Sequence, residues 1–278
     1  MKSQDFEIFS TLLHRRSGLS LTPDKAYLLE ARLEPVARAW KLSGLEALAT
    51  AVRAGRDERL LRDITDAMTT NESSFFRDLK PFEQFQNQVL PSLMSSRSPK
   101  KTLRIWSAAC SSGQEAYSLA MIIHELGSVG AGWRFEIVGT DISSDMIERA
   151  RSGLYTQFEV QRGLPVQRLV RHFRQAGDKW QISEALRAAA RFREYNLLDD
   201  LSPLGTFDIV FCRNVLIYFD TPTKARVLNS ISRLMPADGV LFLGGAETVL
   251  GITDSFQPVG GHRGLYAPSR SVDARDRA

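Results

Sequence analysis

The stretch from Arg104 to Leu126 reads Arg-Ile-Trp-Ser-Ala-Ala-Cys-Ser-Ser-Gly-Gln-Glu-Ala-Tyr-Ser-Leu-Ala-Met-Ile-Ile-His-Glu-Leu. An apolar, strand-like segment runs through small residues into an amphipathic, helix-like segment. Small residues from Ser107 to Gly113 allow a ligand to approach the backbone, and the start of the following helix offers unpaired N–H groups. This pattern predicts a nucleotide-like cofactor site, although an ordinary buried strand packed on a helix fits the stretch equally well.

The loop in this stretch has a single glycine, Gly113. A dinucleotide-binding loop instead carries G-x-G-x-x-G, whose glycines let the backbone approach a pyrophosphate. We therefore expect a cofactor that lacks a pyrophosphate.

Beyond this stretch, strand-like and helix-like segments alternate along the chain. Candidate strands are Leu103 to Ala108, Phe135 to Thr140, Phe192 to Asn196, Phe207 to Cys212 and Val240 to Gly244, and candidate helices are Glu115 to Leu126, Asp145 to Arg151 and Thr223 to Met235. Such alternation predicts an α/β fold, with a mostly parallel sheet covered by helices on both faces. Ligands of these sheets bind at the carboxyl ends of the strands.

The chain divides into segments of different pattern. Apolar residues recur at helical spacing in the first part, and a breaker-rich stretch at residues 95–101 ends that pattern. An insert holds a candidate helix, Val166 to Phe173, and a candidate strand, Lys179 to Ile182. The predicted divisions are a helical domain at residues 1–95, a linker to about residue 101, a second domain at 102–268, an insert at about 153–191 within it, and a disordered tail at 269–278.

Composition narrows the class of protein. The 278 residues are 43% hydrophobic but include no membrane-length apolar run and no signal-like N-terminus, so we expect a cytoplasmic protein without membrane insertion. Cys110 and Cys212 lie in apolar segments and the histidines lack metal-ligand spacing, so we expect buried thiols and no metal. The net charge of +4 suits an acidic partner. Nothing demands more than a monomer.

Three polar residues follow successive strands of the predicted sheet: Glu115, Asp141 and Asn196. Asp141 is placed to accept hydrogen bonds from ribose hydroxyls, and Asn196 to pair with an adenine edge. A helix N-terminal acid and a turn asparagine are the ordinary alternatives. In combination the three residues favour an adenosine ligand without a pyrophosphate, which points to S-adenosylmethionine.

The segment from Phe207 to Phe219 contains polar residues in an apolar run. Arg213, Asn214 and Tyr218 need partners there, because burying an unpaired polar group costs about 1 to 3 kcal/mol. They mark either a functional site or a structural hydrogen-bond network.

Five motifs resemble those of the CheR-type chemotaxis receptor glutamate methyltransferases, in family order. They are Met-Thr-Thr-Asn-Glu-Ser-Ser-Phe-Phe-Arg at residues 68–77, Trp-Ser-Ala-Ala-Cys-Ser-Ser-Gly-Gln-Glu at 106–115, Gly-Thr-Asp-Ile at 139–142, Asn-Leu-Leu at 196–198 and Phe-Cys-Arg-Asn-Val-Leu-Ile-Tyr-Phe at 211–219. The similarity extends from the first helix to Tyr266. It implies a small all-α N-terminal domain, a class I S-adenosylmethionine-dependent methyltransferase domain with a Rossmann-like fold, and an antiparallel β-subdomain inserted into that domain.

The resemblance also implies roles for individual residues. Arg77 and Tyr218 match the two residues closest to the transferred methyl group. Residues that match cofactor-binding positions are Asn71, Ser73, Arg77, Glu115, Asp141, Asn196, Leu197, Asn214 and Val215. Ser73 replaces a common threonine and keeps the hydroxyl, and Gln-Glu-Ala at 114–116 replaces a common Glu-Glu-Pro but keeps Glu115.

The implied reaction transfers a methyl group from S-adenosylmethionine to receptor glutamates, giving glutamyl methyl esters and S-adenosylhomocysteine. A glutamate is already ionised at neutral pH, so no general base is required, and Arg77 and Tyr218 are expected to position the acceptor. The implied partners are the glutamate-bearing cytoplasmic helices of chemoreceptors.

The family also implies a basic helix that faces the receptor. Arg32, Arg38 and Lys41 fall in that region, although Pro35 interrupts the segment and other positions are not basic. Some members bind a receptor's C-terminal peptide through the β-subdomain. The loop before Lys179 is short, so no such tether is expected here.

Two other classes of function are alternatives to the methylation of receptor glutamates. A nucleic-acid methyltransferase that modifies amino groups would carry an Asn/Asp-Pro-Pro-Tyr-like motif, but Cys-Arg-Asn-Val stands at residues 212–215, so no nucleic-acid partner is expected. A non-enzymatic cofactor-binding adaptor is the second alternative, because the expected chemistry needs no diagnostic acid or base.

Overall fold

The structure, a computed structural model, describes residues 1–55 and 57–269. It contains two compact units. The first comprises Met1–Thr70 together with Tyr218–Lys224, and the second comprises Asn71–Ile217 and the described residues from Ala225 onward. The predicted tail lies outside the described residues, apart from Ser269, whose N–H donates to the Ser255 carbonyl (2.8 Å).

The first unit is built on helices with one apolar face each. Its helices are α1 (Ser3–Ser17), α2 (Ala26–Ala39), α3 (Leu45–Ala54) and α4 (Glu58–Met68), with a 3₁₀ turn at Pro23–Lys25. Helix α2 continues through Pro35, so the predicted interruption there is wrong. Burial explains this continuity, because Leu29, Leu33 and Ala37 are fully buried on one face of the helix and outweigh one lost backbone hydrogen bond.

Arg32 has a structural role in this unit. Its guanidinium donates to the carbonyls of Met68 (3.0 Å) and Thr69 (3.0 Å), at the end of α4. Carbonyls at a helix C-terminus lack intrahelical donors, and a cation stabilises that end of the helix. Arg32 is therefore engaged in joining α2 to α4.

Residues 80–96 are helical but belong to the second unit. They form α5 (Lys80–Gln84), a π-helix (Phe85–Val89) and α6 (Leu90–Ser96). Phe82 and Phe85 are buried and lie against the Phe211 ring, with ring centroids 6.0 and 5.9 Å from it. The units therefore divide after Thr70 rather than near residue 95, because this helical stretch packs on a strand of the sheet.

Seven strands of the described chain form one large sheet. They are β1 (Thr102–Ala108), β2 (Arg134–Asp141), β6 (Ala190–Glu194), β7 (Ile209–Cys212), β8 (Val240–Leu243), β9 (Phe256–Pro258) and β10 (Leu265–Pro268). Their order is β6-β2-β1-β7-β8-β10-β9. The first five run parallel, and β10 pairs antiparallel with both β8 and β9, which confirms the predicted mostly parallel sheet.

Helices connect the strands of this unit. They are α7 (Gln114–His124), α8 (Ser144–Ser152), α9 (Gln157–Gln161), α10 (Val166–His172), α11 (Glu184–Ala189) and α12 (Thr221–Arg233), with 3₁₀ turns at Gly127–Gly130, Ser202–Leu204 and Leu216–Tyr218. The first turn of α12, to Lys224, and Tyr218 are grouped with the first unit. In the described residues, no helix is both long and apolar enough to cross a membrane.

The insert forms a separate, smaller sheet. Strands β3 (Leu154–Thr156), β5 (Lys179–Ile182) and β4 (Phe173–Ala176) pair antiparallel in that order. The candidate strand at Lys179 to Ile182 is confirmed, and the candidate helix ends one residue earlier than predicted, at His172. The implied antiparallel subdomain is therefore present.

Candidate functional site

The carboxyl ends of the central strands lie side by side. Ala108, the last residue of β1, pairs with Thr140 of β2 on one side and with Cys212 of β7 on the other. Because these strands are parallel, the loops that follow them start at the same edge of the sheet. These loops contain several of the predicted site residues.

The loop after β1 has an unusual backbone. Ala109 and Ser111 adopt left-handed conformations, with φ of 54° and 50°, although neither is a glycine. Strained backbone of this kind concentrates at ligand-binding sites. Gly113 (φ 92°) is needed for packing as well, since a Cβ there would lie 2.9 Å from the Cβ of Ala150 and 3.2 Å from the Phe192 ring.

Asp141 holds this loop in place. Its carboxylate accepts the N–H of Ser111 (2.8 Å), in the loop after β1, and the N–H of Ser143 (3.0 Å), just after β2. Burial raises the pKa of Asp141, and the N–H donors of Ser143, Ser111 and Ile142 counteract that rise by stabilising the charged form. Asp141 therefore has a structural role beside the predicted ribose contact.

Glu115 lies at the centre of a partly buried polar network. Its Oε1 accepts the hydroxyl of Ser107 (2.8 Å), and its Oε2 accepts Nη1 of Arg213 (2.9 Å). The other terminal nitrogen of Arg213 donates to Asp78 Oδ2 (2.8 Å) and to the Arg77 carbonyl (3.0 Å). One arginine thus links the predicted cofactor acid to the segment that carries Arg77.

Arg213 also offers an unused donor. Its side chain is only 2% exposed. Within the described part of the chain, its buried Nε has no hydrogen-bond partner. Since an orphaned buried donor is costly, an acceptor from a ligand would relieve it. From the sequence, Arg213 was predicted only to need a polar partner, without a role in the site.

The segment at residues 71–77 is attached to the loop after β1. The Asn71 carbonyl accepts the hydroxyl of Ser111 (2.9 Å), and Nη1 of Arg77 donates to the Glu72 carbonyl (2.8 Å). Ser73 and Arg77 are partly exposed. Two hydrogen-bond networks therefore meet at the segment 71–77: Asn71 is joined to Asp141 through Ser111, and Arg77 is joined to Glu115 through Arg213.

The predicted adenine-side pair follows β6. The Tyr195 N–H donates to the Asp141 carbonyl (2.8 Å), which places Asn196 next to the same strand end. Oδ1 of Asn196 accepts the Leu198 N–H (3.0 Å), as in a turn, and Leu197 is buried. The turn role left open by the sequence is therefore present, and the adenine contact stays a prediction.

The loop after β7 is bound by Glu247, which is not among the predicted site residues. Asn214 is left-handed, with φ of 60°. The backbone N–H groups of Asn214 (2.8 Å) and Val215 (3.0 Å) donate to the carboxylate of Glu247. A signal existed in Gly-Gly-Ala-Glu at residues 244–247, where an acid follows the end of strand β8.

Tyr218 belongs to the first compact unit. Its carbonyl accepts the Ser20 N–H (2.9 Å), and its neighbour Phe219 forms an antiparallel bridge with Leu19. The structure therefore groups Tyr218 with the N-terminal helices and the other predicted site residues with the second unit, and a role for Tyr218 beside Arg77 stays a prediction.

The chain has two cysteines, and neither belongs to a possible metal cluster within the described residues. Cys110 and Cys212 are free and buried, as predicted, and burial raises the pKa of both thiols. Among residues 1–55 and 57–269, no cluster of three or more His, Cys, Asp or Glu side chains could hold a metal ion.

The donors and acceptors at this edge of the sheet fit an adenosine-bearing cofactor with a charged tail. Two carboxylates, Asp141 and Glu115, lie beside a loop of small residues, and the buried Nε of Arg213 can bind an acceptor. Taken with the strand order and the inserted antiparallel sheet, these features define a class I S-adenosylmethionine-dependent methyltransferase.

Comparison with known proteins identifies the family within that class. Residues 4–69 match the model of the CheR methyltransferase all-alpha domain, and residues 71–265 match the model of the CheR methyltransferase SAM binding domain. The chain belongs to the CheR methyltransferase family and is an S-adenosylmethionine-dependent methyltransferase.

Similar proteins carry consistent names. The chain is 41% identical to the chemotaxis protein methyltransferase Cher2 of Pseudomonas putida, over 92% of this chain and 94% of that protein. It is 41% identical to chemotaxis protein methyltransferase 1 of Pseudomonas aeruginosa, over 92% and 94%. It is 39% identical to the chemotaxis protein methyltransferase of Vibrio parahaemolyticus, over 93% and 94%.

Proposed function

We propose that this enzyme methylates glutamate side chains on the cytoplasmic helices of chemoreceptors and so contributes to chemosensory adaptation. Relatives named as chemotaxis protein methyltransferases, matched over most of both chains, support this substrate class. The products are glutamyl methyl esters and S-adenosylhomocysteine. The enzyme acts in the cytoplasm as a monomer.

The network around Arg213 is the observation that carries this proposal. It joins Glu115, on the cofactor side, to the carbonyl of Arg77 and to Asp78, on the side where an acceptor would arrive. A single buried side chain thereby fixes the position of both sides relative to each other. Methyl transfer between two bound molecules depends on such alignment, which can lower a barrier by roughly 7 to 11 kcal/mol.

The acceptor needs no base. When bound, S-adenosylmethionine supplies a sulfonium methyl group, and attack by a carboxylate oxygen forms the O–C bond while the S–C bond breaks. A glutamate with an ordinary pKa near 4.3 is already ionised at neutral pH, so no proton moves. Arg77 holds the incoming carboxylate with its positive charge, and Tyr218 donates a hydrogen bond that orients it.

The cofactor contacts are divided among the loops at one edge of the sheet. Asp141 binds ribose hydroxyls, Asn196 and Leu197 bind the adenine, and Glu115 binds the charged end of the cofactor. Asn71, Ser73 and Arg77 line the cleft from the N-terminal side, and Asn214 and Val215 line it from the loop after β7.

The basic surface available to the receptor is smaller than the family pattern implies. Arg32 donates its guanidinium hydrogen bonds to the end of α4, which leaves Arg38 and Lys41 as the basic residues of that region available to an acidic partner. Strands β4 and β5 are joined by a tight turn at residues 177–178, and we propose that this enzyme uses no receptor-peptide tether.

Methyl-labelled S-adenosylmethionine tests the reaction. Incubation with membranes that contain chemoreceptors from the same organism should label the receptor, and mild base should release the label as methanol. Stable label in RNA or DNA would instead indicate a nucleic-acid methyltransferase. Cofactor binding without any transfer would indicate an adaptor.

Two substitutions test the positioning residues. Arg77→Ala and Tyr218→Phe should each lower the rate of methyl transfer, Arg77→Ala by about 100-fold, because small misplacement of reacting groups is costly. Arg174→Ala and Tyr27→Phe, at exposed positions, are matched controls and should keep the wild-type rate. Wild-type rates in Arg77→Ala and Tyr218→Phe, with unchanged cofactor affinity, would refute the assignment.

A further inference from the structure

The carboxylate of Glu247 accepts four backbone N–H groups. Oε2 accepts from Asn214 (2.8 Å) and Gly244 (2.7 Å), while Oε1 accepts from Val215 (3.0 Å) and Ile217 (3.3 Å). A carboxylate offers about four acceptor sites, so these donors use its full capacity. Glu247 is 9% exposed. One of its four donors, Gly244, lies only three residues before it in the sequence.

We propose that Glu247 is a positioning residue for the methyl-transfer reaction. It holds the loop after β7 in the one conformation that presents Asn214 and Val215 to the cofactor. This inference rests on the proposed function, because the cofactor contacts of Asn214 and Val215 are part of that proposal. Glu247 itself touches backbone groups and acts through the loop.

The backbone of this loop needs a hydrogen-bond acceptor outside the sheet, because the chain turns away directly after β7. Strand β7 ends at Cys212, and Asn214, two residues later, turns into the left-handed region at φ 60°. N–H groups that leave a strand in this way have no strand partner, and buried N–H groups require an acceptor. One charged acceptor for several successive N–H groups fixes the loop as a unit.

Gly244 provides the space for this arrangement. A Cβ at Gly244 would lie 2.6 Å from Oε2 of Glu247 and 2.9 Å from Nδ2 of Asn214. Both contacts are closer than non-bonded atoms allow, so any larger residue at 244 would displace the carboxylate or the asparagine. Gly244 therefore gives a second, independent way to disturb the loop while the carboxylate remains.

Glu247→Gln tests the inference with a side chain of nearly the same shape. The amide would place an NH₂ group against backbone donors, so two of the four hydrogen bonds would be lost. Affinity for S-adenosylhomocysteine, measured by calorimetry, should fall by at least about tenfold (1.4 kcal/mol). Amide hydrogen exchange at Asn214, Val215 and Ile217 should accelerate by a similar factor. Glu184→Gln, at an exposed position of α11, is the matched control and should change neither quantity.

Each result decides the inference. Wild-type affinity in Glu247→Gln, whether or not exchange accelerates, would overturn it, because the loop would then matter only to the fold. If Glu247→Gln does not fold, Gly244→Ala decides instead, with an expected loss of affinity of about threefold to tenfold, and wild-type affinity in that variant would overturn the inference.

The same titrations separate this inference from the proposed function. If the wild-type enzyme fails to bind S-adenosylhomocysteine, the proposed function fails and the role of Glu247 fails with it. If the wild-type enzyme and Glu247→Gln bind it equally well, only the role of Glu247 is refuted.

Discussion

The loops after β1 and after β7 both turn away from a parallel strand, and each depends on a different acidic side chain. Each loop leaves a parallel strand through a left-handed residue that is not glycine, Ser111 in the first and Asn214 in the second. Each is held by one buried carboxylate. Asp141 accepts three backbone N–H groups, those of Ser111, Ser143 and Ile142, whereas Glu247 accepts four.

This difference separates two kinds of acid at a strand end. Glu247 has its acceptor capacity filled by backbone donors, so it can hold the loop but cannot bind a ligand as well. Asp141 is bonded by fewer donors and keeps an acceptor site for the proposed ribose contact. An acid at the end of a strand is therefore evidence of a ligand only when the backbone leaves part of its carboxylate unused.

Removing the carboxylate of Asp141 should have the largest effect. Asp141→Ala loses both the hydrogen bonds to the loop and the proposed ribose acceptor, so S-adenosylhomocysteine affinity should fall by at least about 100-fold, or 2.7 kcal/mol. Calorimetry measures this directly. A loss smaller than that of Glu247→Gln would reverse the comparison and make Asp141 a purely structural acid. Asp145→Ala, in the first turn of α8, is the control for a nearby carboxylate.

Gly113→Ala should destabilise the protein by about 2 kcal/mol. The new Cβ would be strained at φ 92° and would lie 2.9 Å from the Cβ of Ala150. Gly177→Ala is the matched control, because Gly177 also has a positive φ (64°) but a Cβ there would meet nothing within 4 Å. Urea unfolding compares the two. Equal losses would mean that packing around Gly113 contributes nothing beyond its backbone conformation.

Arg213→Lys should affect the rate more than the affinity. Lysine keeps the charge but cannot reach Glu115, Asp78 and the Arg77 carbonyl at once, so we expect about tenfold slower methyl transfer, or 1.4 kcal/mol. Steady-state kinetics separates kcat from KM. Arg263→Lys, at an exposed position, should behave as wild type. An unchanged kcat in Arg213→Lys would mean that the network does not align the two substrates.

The smallest effect is expected at a surface carboxylate. Asp220 accepts the N–H of Thr223 (2.9 Å), and the hydrogen bonds from Thr223 lower the pKa of Asp220 from its ordinary value of 3.8 to about 2. A lowered pKa stabilises the folded state above pH 3.8, and this stabilisation is lost as the pH falls from 3.8 towards 2. Solvent screening limits it to less than about 1 kcal/mol.

The variant Asp220→Asn tests the lowered pKa of Asp220. The variant should be slightly less stable than wild type at pH 6, and the difference should shrink at pH 3, as urea unfolding would show. A difference that is larger at pH 3 than at pH 6 would contradict the sign of the pKa shift. Asp24→Asn, in the 3₁₀ turn of the first unit, serves as a control.

Patterns along the chain predicted the sheet but not all of its boundaries. The alternation of apolar strands and amphipathic helices gave the parallel strands, because burial of alternate elements leaves a periodic signal. Residues 80–96 have the same helical period as the N-terminal helices, so their packing against Phe211 could not be predicted from periodicity. The predicted interruption at Pro35 is wrong for a related reason. Burial of Leu29, Leu33 and Ala37 in the folded protein outweighs the local effect of a helix-breaking residue.

Site residues could be predicted from the sequence where an acidic residue closely follows a predicted strand. Glu115 and Asp141 each follow a strand in the sequence, and the structure joins both to the segment at residues 71–77, Asp141 through Ser111. Arg213 and Glu247 were harder to interpret, because their importance depends on partners that are distant in sequence. Glu247 is 33 residues from Asn214, and no local pattern specifies such a contact.

The first compact unit takes one of its pieces, Tyr218–Lys224, from the middle of the methyltransferase sequence. Phe219 in this piece lies against Gly18, where a Cβ would come within 3.0 Å of its ring, and Asp220 binds His14 (2.9 Å). A single crossover at residue 70 during gene recombination would therefore combine the helices of one parent with the Phe219 segment of another. Chimeras of this family should be viable mainly when both pieces are inherited together.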